Sequence, residues 1–265
     1  NRKEPQLYVS LWYFLGALCW MPVVYLVGNN TFTQWMPGFT VGINDASVNW
    51  FYGHNILGLW FTPSGVGMSY YLLPKYTKNP LYSHLLSLLG FFTIAMFYTP
   101  TGAHHLLQSP VPEWLKAIAV ISSVMLLVPV LTVLINFFLT MGNKWGMMAN
   151  NLGLRFLVFG NIFYLFTCVT GPMQATRWIN FYVHFSHWVV MHAHLALLAT
   201  FTFMSFSSIY YVFPRVTGRE FYSVSLIRAH FWFSFLGTAM MLTVLMIAGF
   251  IQAAAWRQGV TVYHT

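Results

Sequence analysis

Ten histidines stand in a chain that has only four acidic residues, and five of them recur in a pattern able to hold metal ions. These are His54, the pair His104-His105, and the two of Met191-His192-Ala193-His194. Neutral imidazole is a common ligand of copper, iron and zinc. A lone histidine in an apolar helix more often hydrogen-bonds a neighbouring helix, and that reading is kept for His84 and His230. Five at one depth on separate elements point instead to a metal site. On an α-helix, residues two apart point about 200° apart, so His192 and His194 cannot share one metal but can serve two centres on opposite faces. Adjacent His104 and His105 can converge where a helix end opens, and Pro100 and Gly102 provide that break. The arrangement expected is His54, His104 and His105 on one metal, His192 facing it, and His194 facing a second centre.

The elements that must position these groups are membrane helices. Of 265 residues, 58% are hydrophobic, 19% aromatic and 6% charged. A soluble domain carries about 25% charged residues. With a mean hydropathy of +0.63, a soluble monomer is excluded. Seven apolar runs reach the roughly 20 residues that a bilayer core requires: about 7–28, 47–73, 81–100, 115–140, 151–172, 184–213 and 225–255. Barrel strands would be half as long and would alternate. The expected fold is therefore all-α, a polytopic membrane bundle forming one domain over 1–265. The charge of +8 suits membrane loops rather than a nucleic-acid partner. Cys19 and Cys168 sit in apolar runs and fit neither a disulfide framework nor a zinc site. The chain opens on Asn1 with no cleavable signal peptide, so a fragment, one half of a split subunit or an incomplete chain is expected.

Basic residues set the direction. Arg2 and Lys3, then Lys75 and Lys78, Lys144 and Arg155, and Arg215, Arg219 and Arg228 mark the inside. Lys116, Arg177 and Arg257 fall on the sparser outer side. All five candidate ligands then lie in the outer third of the membrane, while Glu4, Asp45, Glu113 and Glu220 fall in loops. Tyr98 stands six residues before His104, about 9 Å deeper on a helix, where its phenol could give a proton and an electron. Thr62, Tyr70 and Ser87 continue a polar trail inward, as a proton path to a buried metal site would need. Singly, each would be an ordinary interhelical hydrogen bond.

With these residues placed, the chain resembles the catalytic subunit of the haem-copper oxidases, specifically the C-type or cbb3 cytochrome c oxidases. The matching segments are Trp50-Phe51-Tyr52-Gly53-His54-Asn55, Tyr70-Tyr71 with Pro74-Lys75, and Tyr98 through Gly102-Ala103-His104-His105. Gly171-Pro172-Met173, His192-Ala193-His194 and Arg228-Ala229-His230-Phe231-Trp232 follow in the same order. The resemblance implies copper on His54, His104 and His105, a high-spin haem on His192, and a low-spin haem on His194. It makes Tyr98 the active-site tyrosine, covalently bonded to His54, and puts Thr62, Tyr70 and Ser87 in a single proton path and Trp50 near the haem propionates. It also implies two b-type haems, one copper ion and electrons from c-type cytochrome subunits. The expected activity is reduction of O2 to water coupled to proton translocation, in the bacterial inner membrane with the metal site towards the outside.

This chain would correspond to about the fifth to eleventh of some twelve helices. A further segment or partner chain would then supply the early helices and the second low-spin haem ligand. Two positions depart from the pattern: Thr170 stands where the family usually has glutamate, and His187 where it has aspartate. A nitric oxide reductase shares the histidine plan but adds a glutamate ligand to iron, and no glutamate lies inside a span here. A non-catalytic assembly or transport subunit would be expected to lose ligands that this chain keeps.

Overall fold

The computed structural model describes residues 6–29 and 40–260. Arg2, Lys3 and Glu4, part of the charge reading above, lie outside the described residues. All seven apolar runs are helical. They comprise α1 (Val9–Gly28); α2 (Ile43–Ile56), which passes through a π-helical stretch Leu57–Phe61 into α3 (Thr62–Thr77); α4 (His84–Tyr98); α5 (Glu113–Met125) with α6 (Leu127–Met141); α7 (Leu152–Ala175); α9 (His187–His194), which passes through a second π stretch Leu195–Thr202 into α10 (Phe203–Thr217); and α11 (Val224–Arg257). A short α8 (Arg177–Val183) precedes α9. Five helical stretches among the described residues are long and apolar enough to cross a membrane: Val9–Gly28, Glu113–Met141, Leu152–Ala175, His187–Thr217 and Val224–Arg257. The apolar helix His84–Tyr98 is shorter.

Local chemistry explains the interruptions. Pro129 has no N–H to bond back to Met125, so α5 stops at that residue and α6 begins two residues on. Pro63 poses the same problem in the second run. There the π stretch absorbs an extra residue, and the Thr62 N–H bonds back to Leu57. The starts are capped by side chains: Ser83 accepts from the Leu86 N–H, Asn151 from Leu154 and Ser223 from Leu226. Each satisfies an N–H that the first turn leaves without a partner. Asp45 and Glu113 sit in the first turns of α2 and α5 rather than in loops, where the helix dipole favours a carboxylate. Glu113 also pairs with Lys116 at 2.8 Å.

The chain forms two compact units, 1–71 with 81–139, and 72–80 with 140–265. In the first, Tyr13 of α1 packs on Tyr70 and on Phe91 with ring centroids 5.3 Å apart in both cases. Tyr70 in turn meets Phe137 edge-on at 4.6 Å. In the second, Phe156, Phe203 and Phe231 form a buried aromatic core between α7, α10 and α11. Apolar association has no water to expel in lipid, so such edge-to-face packing is what holds the helices together. Cys19 and Cys168 are both free thiols.

Candidate metal centre

His54 lies on α2, while His104 and His105 lie on a 3-10 turn, Thr101–Leu106, that follows α4. The expected opening of the helix end therefore occurs, and it occurs at Pro100. Gly102 lets this turn approach: a Cβ there would stand 2.4 Å from the Trp50 carbonyl oxygen of α2. The three imidazoles offer ligand atoms that all lie within 4.8 Å of one another. Ring centroids are 4.6 Å apart for His54 and His104, 4.5 Å for His104 and His105, and 5.6 Å for His54 and His105.

Their surroundings orient the rings. Ser123, on α5, places its hydroxyl 2.6 Å from His104 Nδ1 and donates its own proton to the Ala119 carbonyl. With that proton committed, the oxygen accepts from Nδ1–H, so His104 carries its lone pair on Nε2. The Thr101 hydroxyl bridges His54 Nδ1 at 2.7 Å and the Tyr98 carbonyl at 2.6 Å. Asn55 donates to the Thr99 carbonyl at the end of α4. Trp50 stacks flat on His105, centroid to centroid 3.7 Å with 9° between planes. Sequence spacing marked the three clustered histidines but not Ser123 or Thr101. Hydroxyls in apolar helices are common, and nothing in their own neighbourhood singles these two out.

Tyr98 lies beside this cluster, its ring 5.5 Å from that of His54, with its hydroxyl 3.4 Å from Thr62 Oγ1. Gly58 makes the space, since a Cβ there would fall 2.0 Å from Tyr98 Cδ1. Thr62, Tyr70 and Ser87 are all buried; Thr62 bonds Tyr98, while Tyr70 and Ser87 are joined through Tyr13, which hydrogen-bonds the Tyr70 side chain and the Ser87 carbonyl. Tyr70 receives a bond from Asn136 Nδ2 at 3.4 Å, and Ser87 donates to the His84 carbonyl at 2.6 Å. Asn136 also brackets Ser83, donating to its carbonyl and accepting from its N–H. Tyr13 joins this region by donating to the Ser87 carbonyl. Neither Asn136 nor Tyr13 was legible as part of the trail.

In the second unit, His192 and His194 face different surroundings, as two-residue spacing on a helix requires. His192 is half-buried, with Nδ1 2.8 Å from Thr170 Oγ1 of α7. His194 is exposed, and its Nδ1 lies 2.9 Å from the Val190 carbonyl of its own helix. Ser186 caps the start of α9, and the His187 N–H donates to Gln252 of α11. His230, assigned to packing, bonds Tyr210 at 2.7 Å between α10 and α11.

Three imidazoles this close are a recognisable arrangement, and the sequence profile described as "Cytochrome C and Quinol oxidase polypeptide I" matches residues 1–264. The chain belongs to the cytochrome c and quinol oxidase polypeptide I family. It is 32% identical to the cbb3-type cytochrome c oxidase subunit CcoN1 of Stutzerimonas stutzeri, over 97% of this chain and 55% of that one. It is 31% identical to a cytochrome c oxidase subunit 1 homolog of Agrobacterium tumefaciens (strain T37), over 99% of this chain and 51% of that one. Its fold matches a solved heme-copper terminal oxidase with a TM-score of 0.77 and 17% identity, over 95% of this chain and 49% of the other. The chain thus spans about half the length of the curated relatives it matches, and it forms part of the oxidase fold. Haem and copper are what membership of this family implies. The cluster fits copper in donor type, since it offers three imidazole nitrogens, all within 4.8 Å of one another. Three such nitrogens on one ion, with metal–imidazole bonds of about 2.0–2.1 Å, would stand roughly 3.3–3.6 Å apart, so binding would draw the rings together.

Proposed function

We propose that this chain is the catalytic-core segment of a cbb3-type terminal oxidase that reduces O2 to water with electrons from cytochrome c and translocates protons. The observation that supports this reading most is the all-nitrogen cluster of His54, His104 and His105 with the phenol of Tyr98 beside it. Among the described residues no carboxylate joins that cluster, which favours copper over the carboxylate-assisted iron of a nitric oxide reductase. His54, His104 and His105 would hold one copper ion, and His192 and His194 the irons of two b-type haems. When bound, these groups supply the binding point and the electrons for dioxygen.

The residues of the chain do the rest. Tyr98 holds a proton at the edge of the histidine cluster, on a hydroxyl within reach of Thr62. Thr62, Tyr70 and Ser87 relay protons towards it from the inner side, with water completing the path between Tyr70 and Thr62. Trp50 holds the plane of His105 and borders the propionate region. c-Type cytochrome subunits deliver electrons from outside, and a segment beyond these residues, or a partner chain, provides the second ligand of the haem on His194. The protein lies in the bacterial inner membrane, with the metal site towards the outer side.

Haem and elemental analysis of the purified complex tests this reading. Two b haems and one copper per chain, with oxygen consumption driven by reduced cytochrome c, are expected. Extra iron in place of copper would favour nitric oxide reduction, and loss of both metals would favour a non-catalytic subunit.

A further inference from the structure

The Thr170 side chain has two commitments. Its hydroxyl donates back to its own helix, to the Phe166 carbonyl at 2.9 Å and the Thr167 carbonyl at 3.1 Å. The same oxygen lies 2.8 Å from His192 Nδ1. A threonine hydroxyl has one proton and two lone pairs. Since the proton is used on the backbone, the contact to His192 is one in which Nδ1–H donates and Thr170 accepts. The next residue makes room for the same ring: a Cβ on Gly171 would stand 3.2 Å from His192 Cε1 and 3.6 Å from Nε2. The imidazole therefore lies along residues 170–171 of α7, held at Nδ1 by Thr170 and passing Gly171 where no side chain intervenes.

We propose that Thr170 is the positioning residue of His192: by accepting the Nδ1 proton it fixes the tautomer and plane of the ring, and it presents Nε2 as a neutral, hydroxyl-supported donor. The inference rests on the reading of His192 as the high-spin haem ligand. A neutral hydroxyl accepts more weakly than a carboxylate would at this place. It leaves less negative charge on the imidazole and a weaker bond from Nε2 to iron. Partners of this kind orient ligand rings and set their basicity, and removing one usually costs roughly 10–100-fold in affinity or activity.

Resonance Raman spectroscopy of the reduced, ligand-free complex tests this through the iron–histidine stretching band. Thr170→Ser keeps the acceptor and should leave the band where it is. Thr170→Val keeps the shape without the acceptor and should lower its frequency. Thr170→Glu should raise it and lower the midpoint potential of the high-spin haem. An unmoved band in Thr170→Val overturns the proposal; if that variant does not assemble, an unmoved band in Thr170→Glu overturns it equally. A band that survives in His192→Ala would instead overturn the underlying reading of His192, and with it the role given to Thr170.

Discussion

The hydroxyl of Ser123 lies 2.6 Å from Nδ1 of His104 and comes from α5, a helix that carries no histidine. Both groups are buried. Ser123→Ala would leave a buried Nδ1–H without its acceptor, at a cost of about 1–3 kcal/mol, and free the ring to turn. Copper affinity should fall roughly 10–100-fold while both haem spectra persist. Metal analysis after equilibration with graded chelator reads this, and wild-type retention of copper would dismiss the orienting role.

His104→Ala and His105→Ala should go further. A three-imidazole site that loses one ligand loses both geometry and affinity, so copper and oxygen reduction should disappear together. Full copper occupancy in either variant contradicts the ligand assignment.

Tyr98→Phe keeps the ring that Gly58 accommodates and removes only the hydroxyl facing Thr62. Copper and haem content should hold while turnover drops by orders of magnitude. A hydroxyl with a merely structural bond would cost only about 1 kcal/mol of stability and leave turnover intact. Gly58→Ala is the steric counterpart, since its Cβ would overlap the Tyr98 ring. Such overpacking costs about 1–3 kcal/mol, read as a lower melting temperature along with reduced turnover.

The histidines of α9 should separate spectroscopically. His194 is exposed and held by Val190 of its own helix, whereas His192 is held by Thr170 of α7. His194→Ala should disturb the low-spin spectrum and leave carbon monoxide binding intact, and His192→Ala should do the reverse. Identical losses in an assembled complex would contradict the two-face argument.

Asn136 is fully buried and brackets Ser83 while donating to Tyr70. Asn136→Leu fills similar space but leaves the Ser83 N–H at the start of α4 and the Tyr70 hydroxyl without this partner. The melting temperature should fall by the equivalent of about 1–3 kcal/mol for the Ser83 N–H left unpaired. A wild-type melting curve would show that the bracket contributes nothing.

Sequence by itself determined the class of the fold and the candidate ligand types. Apolar runs long enough for a bilayer dictate helices, because each backbone polar group in lipid needs a partner within its own segment. Two-residue spacing on a helix dictates that His192 and His194 diverge, and Pro100 dictates that a helix opens where His104 and His105 stand. These are local consequences of geometry, so they are legible in one dimension. Only the tertiary structure decided which hydroxyls serve which imidazoles. Ser123 is 19 residues from His104, Thr170 is 22 from His192, and Asn136 is 66 from Tyr70. Nothing in an apolar helix distinguishes a serine that bonds its own backbone from one that also receives an imidazole proton. That distinction arises when packing brings an imidazole nitrogen of another element within 3 Å of the hydroxyl, and the same packing explains Gly58 and Gly171, whose missing side chains make room for rings distant in the sequence.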